Sequence, residues 1–307
     1  MSQNKIYDVA IIGAGPGALT AAIYTSRGNL DTVFIDNAAP GGKLIYASKI
    51  ENWPGDTIVK GTDLAIRFFE HAQAFGAKYE YGKVVDLINI KDDLKELVLE
   101  DGKKIQAKSV IIASGMVSRK PREILNYDEF ENRGVSYCVI CDGPMYGHNP
   151  AIIIGGGNSA VEEGTFLSSI ASKVYVIVRD SDFIAEKALV NDLKSRKNIE
   201  VLFNASVKEL HGKDALEYAI VNHNGKEVKL EVASLFPYIG FLPSAEYAKN
   251  AGVLEPNGFI KTDEFMETKV PGIYAIGDIR IKDIRQILTA TSDGTIAGKI
   301  LTNRIKK

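Results

Sequence analysis

Cysteine is nearly missing, with two in 307 residues. That is too few to staple a small scaffold, and the C-x-x-C spacing of Cys138 and Cys141 reads, in a cytosolic protein, as redox or metal chemistry before structure. Nor is there an excess of positive charge. Lys and Arg total 37 against 39 Asp and Glu, so the chain has no overall basic field and no nucleic-acid partner is expected. Proline is sparse at 10 residues while aliphatic residues are plentiful, which excludes collagen-like, mucin-like and disordered readings. No apolar run approaches the ~18 residues of a membrane span. Met1 to Lys5 is polar and Val9 to Ile12 is a brief apolar run, not the longer apolar core of a signal peptide. The expectation is a cytoplasmic protein with no membrane contact. What is present is ordinary: 45% hydrophobic and 25% charged residues, an average globular share. At roughly 100–200 residues per domain, the length predicts two domains.

The first informative segment is Tyr7 to Ile12, an unbroken run of strand formers that reads as a fully buried strand. Gly13-Ala14-Gly15-Pro16-Gly17-Ala18 follows, then a helix to about Arg27, then a strand from Thr32 to Ile35 with Asp36 at its end. The pattern returns later. Ala151 to Ile154 is a strand, Gly155-Gly156-Gly157-Asn158-Ser159-Ala160 is the turn, a helix runs to about Ile170, and Val174 to Val178 is the next strand. Asp36 and Val178 fall at the same distance from the first glycine of their units, so the two form one internal repeat.

Both turns fit G-x-G-x-x-A. Gly13 and Gly155 allow the tight turn, Gly15 and Gly157 let the backbone approach a pyrophosphate, and Ala18 and Ala160 let the helix pack closely. Phosphates then sit on the helix N-terminus, where N–H groups and the helix dipole favour anions. One such motif is weak evidence, but two in register, each between a strand and a helix, point to two dinucleotide sites. Asp36 is placed to accept hydrogen bonds from an adenosine ribose. In the second unit Val178 has no such group, while Arg179 could meet a 2′-phosphate and Asp180 could take a 2′-hydroxyl. That leaves NADPH and NADH both open.

Between and after the turns lie further strands. Lys83 to Ile90 and Glu96 to Leu99 flank a polar turn, and Lys108 to Ala113 is apolar. Val201 to Phe203, Ala219 to Asn222 and Glu227 to Val232 read as accessory strands of the second half. Ile273 to Ile276 is a last buried strand, and Leu288 to Ile305 a terminal helix. Linkers are expected at Met116 to Pro121 and near Gly240 to Pro243. The fold class is therefore α/β, with two Rossmann-like dinucleotide-binding domains, the second inserted in the first. The boundaries are 1–117 with 244–307, and 118–243.

Cys138-Val139-Ile140-Cys141-Asp142-Gly143 is the most specific stretch. A C-x-x-C pair can close into a small disulfide and reopen, and one of its thiols often attacks as thiolate. Asp142, beside the second thiol, can move a proton as general base and acid. A zinc site would need four ligands, and His71, His148, His211 and His223 show no paired spacing. No metal is expected.

These pieces together resemble the low-molecular-weight thioredoxin reductases over essentially the full length. The matching segments are GAGPGA at Gly13, PGGKL at Pro40, ENWPGD at Glu51, ASG at Ala113, CVICDG at Cys138, GGGNSAVEEG at Gly155, YIGFLP at Tyr238, GIYAIGDI at Gly272 and RQILTA at Arg285. The resemblance implies FAD in the first domain, its pyrophosphate over Gly13, Gly15, Pro16, Gly17 and Ala18 and its adenosine ribose near Asp36. Gly41, Gly42, Asn52 and Ala113 would line the rest of the cofactor. Asp278 would hold its ribitol or pyrophosphate region, and Arg285, Gln286 and Ile287 would close over the ring. The last helix would aim its N-terminus at the flavin.

In the second domain the resemblance implies a nicotinamide dinucleotide on Gly155, Gly157, Asn158, Ser159, Ala160 and Arg179, with Glu162 and Glu163 nearer the nicotinamide. It also implies a homodimer that reduces thioredoxin. Electrons would pass from NADPH, or NADH, through FAD to the Cys138–Cys141 disulfide, with Cys141 nearer the flavin and Cys138 attacking thioredoxin.

Two positions depart from the family pattern. A His-Arg-Arg-x-x-x-Arg run usually grips the 2′-phosphate of NADPH. Here it reads Val178, Arg179, Asp180, Ser181, Asp182, Phe183 and Ile184. Lys43 stands where the family usually has Gln; a cation near the flavin could alter its redox potential, but the preferred expectation is a lysine pointing to solvent. The first departure motivates an alternative, a flavin-dependent disulfide reductase or thiol oxidase fed by another donor. A third reading is a non-catalytic redox sensor, which multiple turnovers with NAD(P)H would exclude.

Overall fold

The computed structural model describes residues 5–47 and 50–305. In chain order, β1 (Ile6–Ile12), α1 (Pro16–Arg27), β2 (Thr32–Asp36), α2 (Gly61–Ala74), β3 (Lys78–Tyr81), β4 (Val84–Lys91), β5 (Leu94–Leu99), β6 (Lys104–Ile112) and β7 (Met116–Ser118) come first. Then follow α3 (Val139–Asp142), β8 (Ala151–Ile154), α4 (Asn158–Leu167), β9 (Val174–Ile177), α5 (Lys187–Ser195), β10 (Ile199–Leu202), β11 (Ala205–His211), β12 (Tyr218–His223), β13 (Lys226–Glu231) and β14 (Ser234–Pro237). β15 (Phe241–Pro243), β16 (Ile273–Ala275) and α6 (Ile287–Arg304) complete the chain. Two compact units result, one from Met1–Val117 with Pro243–Lys307 and one from Ser118–Leu242.

The first unit is built on a seven-stranded sheet of order β3-β2-β1-β6-β5-β4, with β16 also on β6. β1 is central and parallel to both β2 and β6. Its apolar run does not alternate because both faces are covered: Val9 and Ile11 pack on one side, Ala10 and Ile12 on the other. β6 is long enough to pair antiparallel with β5 near its start and parallel with β16 near its end. α1 begins with Pro16 in its first turn, where the missing N–H costs nothing. It packs on α6 through small residues. A side chain at Gly294 would come within 2.3 Å of the Gly17 carbonyl, and one at Gly298 within 2.7 Å of Tyr24. Glycine at these positions sets how closely the two helices approach.

The second unit repeats the strand–turn–helix–strand theme on a parallel sheet of order β10-β9-β8-β14, and carries a separate antiparallel sheet β11-β12-β13. Ile152 faces a core shared with residues of the antiparallel sheet, while Ala151 and Ile153 pack against residues of α4. One expectation is corrected here. The strand around Val201 to Phe203 is not accessory: Ile199–Leu202 pairs parallel with β9 and forms the edge of the nucleotide-type sheet. Its short apolar pattern is the same in either role, and only pairing distinguishes them. Two helices that the pattern did not announce, α2 and α5, cover the sheets. In α5 Leu193 is fully buried, with Leu189 and Val190 partly buried against the same core. Among the described residues no helix is long and apolar enough to cross a membrane.

Candidate functional site

The first glycine turn joins β1 to α1. Gly13 adopts φ +114°, and a Cβ there would lie 2.5 Å from the Ala113 carbonyl oxygen, so the turn demands glycine on both counts. At Gly15 a Cβ would meet nothing within 4 Å, and no side chain caps the start of α1. An open backbone surface at an uncapped helix start fits a phosphate group. Asp36 accepts from the Ala14 N–H at 2.8 Å and from the Ala38 N–H at 3.0 Å. Burial pushes its carboxyl up, opposed by the N–H groups of Ala38, Ala14 and Asn37. Gly41 donates to the Ala14 carbonyl at 2.7 Å, which brings the Gly41-Gly42 segment onto the same turn.

The remaining expected residues of this unit converge from distant parts of the chain. Asn52 donates to Gln286 at 3.1 Å. Gln286 also caps α6 in a reciprocal box with Thr289, so one side chain both starts the helix and holds Asn52. Ile287 packs with Leu44 and Ile50. Arg285 donates to the backbone carbonyl of Asp278 at 3.3 Å, and its guanidinium lies 5.0 Å from the Phe259 ring centre. Pro16, Gly17 and Ala18 form the first turn of α1, whose Gly17 faces Ala290 of α6.

Lys43 does not behave as the sequence suggested. Its ammonium is 2.9 Å from the Asp278 carboxylate.

One residue that sequence reasoning missed organises this end of the unit. Asp293 is buried, at 6% exposure. It accepts from the Gly277 N–H, Arg280 and Lys282 at 2.8–2.9 Å. Three hydrogen bonds, two from cations, compensate the desolvation of one buried carboxylate. They tie the turn carrying Asp278 to α6. The only signal was an aspartate on a helix whose neighbouring buried positions are Ala290, Gly294 and Ala297.

The second turn repeats the construction. Gly155 adopts φ +141°, with a built Cβ 2.4 Å from the Tyr238 carbonyl, and Gly157 faces open space. α4 starts at Asn158 with Ser159 and Ala160 in its first turn, and no side chain caps it. Asn158 is held by Glu186, donating at 3.0 Å and accepting from the Glu186 N–H at 2.9 Å. Ile184 donates to the Gly156 carbonyl at 2.9 Å. The segment after β9 therefore folds onto the turn, and it brings Asp180, Asp182 and Glu186 with it. Arg179 is 87% exposed, 3.7 Å from the Asp180 carboxylate.

Cys138 and Cys141 are joined in a disulfide. Cys138 is buried and Cys141 exposed. The Cys138 sulfur accepts from the Cys141 N–H at 3.1 Å. A second missed residue, Ser136, serves both ends of the motif. Its hydroxyl donates to the Asp142 carboxylate at 2.6 Å and accepts from the Cys138 N–H at 3.1 Å. Tyr238 accepts from the Val139 N–H at 3.4 Å.

Glu163 is a half-buried acid whose carboxyl end is enclosed. Among the described residues its buried Oε2 has no hydrogen-bond partner. Burial, aided by the charge of Glu162, pushes its carboxyl up to about 8. The folded protein therefore keeps a proton that the unfolded chain releases above pH ~4.3. The stabilising effect of that proton is complete below the unfolded value and is lost as pH rises towards 8 and beyond. We expect Glu163→Gln to lose this pH dependence, with a gain on the order of a few kcal/mol at pH 9 relative to pH 5. Denaturant midpoints for both proteins across that range would check it. Parallel curves would show that Glu163 is ionised in the fold.

The pattern of the family described as pyridine nucleotide-disulphide oxidoreductase matches residues 7–294. A thioredoxin reductase of Bacillus subtilis (strain 168) is 41% identical, covering 100% of this chain and 97% of the relative. Among solved structures, Lactococcus lactis thioredoxin reductase (FR conformation) is similar with a TM-score of 0.91 and 33% identity, covering 97% of this chain and 98% of that one. Thioredoxin reductase from T. acidophilum has a TM-score of 0.90 and 30% identity, with 98% and 99% covered.

Proposed function

The chain belongs to the pyridine nucleotide-disulphide oxidoreductase family, among its thioredoxin reductases, and from that premise we propose the roles of its two units and its thiols. The unit of 1–117 with 244–307 takes FAD, and the unit of 118–243 takes NAD(P)H and carries the redox-active pair. Bound FAD would supply the two-electron link between the nicotinamide and the disulfide. The observation that carries this reading is the pairing of two open, uncapped glycine turns, one in each unit, with a closed Cys138–Cys141 disulfide in the second.

The protein's own groups then have defined tasks. Gly13, Gly15, Pro16, Gly17 and Ala18 cradle the FAD phosphates, and Asp36 takes the ribose. Gly41, Gly42, Asn52, Ala113, Asp278, Arg285, Gln286 and Ile287 position the remainder. Gly155, Gly157, Asn158, Ser159 and Ala160 hold the nicotinamide dinucleotide, with Arg179 as a weak cation for its ribose end. Two electrons open the S–S bond. Cys141, exposed, receives them. Cys138 is left as a thiolate favoured by the Cys141 N–H, and attacks the disulfide of thioredoxin. Cys141 then displaces reduced thioredoxin and restores the intramolecular bond. Asp142, oriented by Ser136, gives a proton to the departing thiolate and later regains it. The working form is a cytoplasmic homodimer.

The test is anaerobic mixing of the flavin-loaded protein with NADPH and with NADH separately, followed by turnover with oxidised thioredoxin. Bleaching of the flavin by either nucleotide, then multiple turnovers, is the expected result. Thioredoxin turnover supported by reduced ferredoxin and by neither nucleotide would favour another donor. Flavin reduction without any disulfide turnover would favour a sensor.

A further inference from the structure

Lys43 and Asp278 are 235 residues apart in sequence, yet their charged groups meet at 2.9 Å. Both ends of that contact belong to the cradle assigned above to FAD, and the inference rests on that assignment. The residues before Lys43 lie on the phosphate turn itself. Gly41 donates to the Ala14 carbonyl at 2.7 Å, and a Cβ built on Gly42 would lie 3.2 Å from the Gly15 Cα. Lys43 thus leaves the chain at the rim of the turn that receives phosphate. Asp278 stands at the end of the strand–turn β16–Gly277, which Asp293 fixes through the Gly277 N–H.

A diphosphate bound on the adjoining glycine turn would find a carboxylate at this place electrostatically unfavourable. The FAD diphosphate carries about two negative charges, and like charges at short range in a partly desolvated site repel strongly. Arg285 is turned to backbone, with its guanidinium on the carbonyls of Asp278 and Arg280. Among the described residues, Lys43 is the cation paired with the Asp278 side chain. We propose that Lys43 is a positioning residue of the cofactor cradle, whose ammonium cancels the Asp278 carboxylate beside the diphosphate and holds that carboxylate in one orientation. A glutamine at this position, the residue the family pattern usually has, could hydrogen-bond Asp278 but could not neutralise it. Lysine here would give the bound flavin nucleotide a charge term that glutamine cannot supply.

The experiment strips FAD from the full-length protein and retitrates it, by flavin fluorescence, at low and high salt. Lys43→Gln should raise the dissociation constant about tenfold at low salt, with a smaller difference at high salt where screening removes the charge term. Lys43→Arg should stay within about twofold of the unaltered protein. The decisive variant is the double Lys43→Gln, Asp278→Asn. If Lys43 works by cancelling Asp278, removing both charges should restore most of the lost affinity. The proposal is overturned if Lys43→Gln binds FAD within about twofold of the parent at low salt, or if the double variant is as weak as or weaker than Lys43→Gln alone. Failure of the parent protein itself to take up FAD would overturn the cofactor assignment, and the proposal with it, and is read separately from either of those outcomes.

Discussion

Replacing Cys141 with serine should leave flavin bound and reducible, abolish thioredoxin turnover, and trap a stable mixed disulfide between Cys138 and thioredoxin. Replacing Cys138 with serine should abolish turnover equally, by about three orders of magnitude or more, but trap nothing through Cys141. The asymmetry comes from the motif. The Cys138 sulfur accepts the Cys141 N–H, and Ser136 holds the Cys138 backbone and the Asp142 carboxylate together. On the proposed roles, this arrangement would favour the thiolate at Cys138, with Asp142 as the proton source beside it. In the closed disulfide, however, Cys138 is the buried sulfur and Cys141 the exposed one. Attack on a protein substrate therefore requires Cys138 to be uncovered once the bond opens. Mass spectrometry of the trapped complexes decides the order. A mixed disulfide through Cys141 in the Cys138→Ser protein would reverse the two roles. Turnover near the parent rate in either variant would dismiss the dithiol route altogether.

The second large effect concerns the electron donor. We expect poor discrimination in favour of NADPH, with measurable use of NADH. Of the three arginines that the resemblance led one to expect around a 2′-phosphate, this chain has Arg179, which is almost fully exposed beside Asp180. The strap that follows returns to the glycine turn through the Ile184 N–H. It carries Asp180, Asp182 and Glu186, and carboxylates repel a 2′-phosphate. Each charge-assisted contact is worth ~1.5–3 kcal/mol when well made, less where solvent screens it. Restoring arginine at both Asp180 and Ile184 should raise the ratio of kcat/KM for NADPH over NADH about a hundredfold. Ile184 is 85% exposed, so an arginine there fits without repacking. The ratio is measured by steady-state kinetics with each nucleotide. If it does not move, residues outside this strap set the preference.

Much of this protein was legible from local pattern. Two buried strands, each followed by a glycine turn and a helix, determine their own conformation. Gly13 and Gly155 occupy backbone angles and clearances that only glycine meets, and unbroken apolar runs such as Val9 to Ile12 are stable only when both faces are covered. The C-x-x-C pair with its aspartate announced redox chemistry because spacing alone brings the sulfurs together. Those features depend on neighbours a few residues away, and a sequence states them directly.

Tertiary structure decided what depends on residues far apart in the chain. Ile199–Leu202 could have joined either sheet of its unit, and its pairing with β9 settled it. Lys43 looked like a solvent-facing cation until the turn after β16 placed Asp278 opposite it. Asp293 became a buried node because Gly277, Arg280 and Lys282 converge on α6. The upward shift of the Glu163 carboxyl likewise follows from burial, which no residue type encodes. Backbone conformation and sulfur spacing are set by short-range sterics and covalent reach. Charge pairing and desolvation depend on which distant groups the fold brings within a few ångströms, and so they appear only in the folded chain.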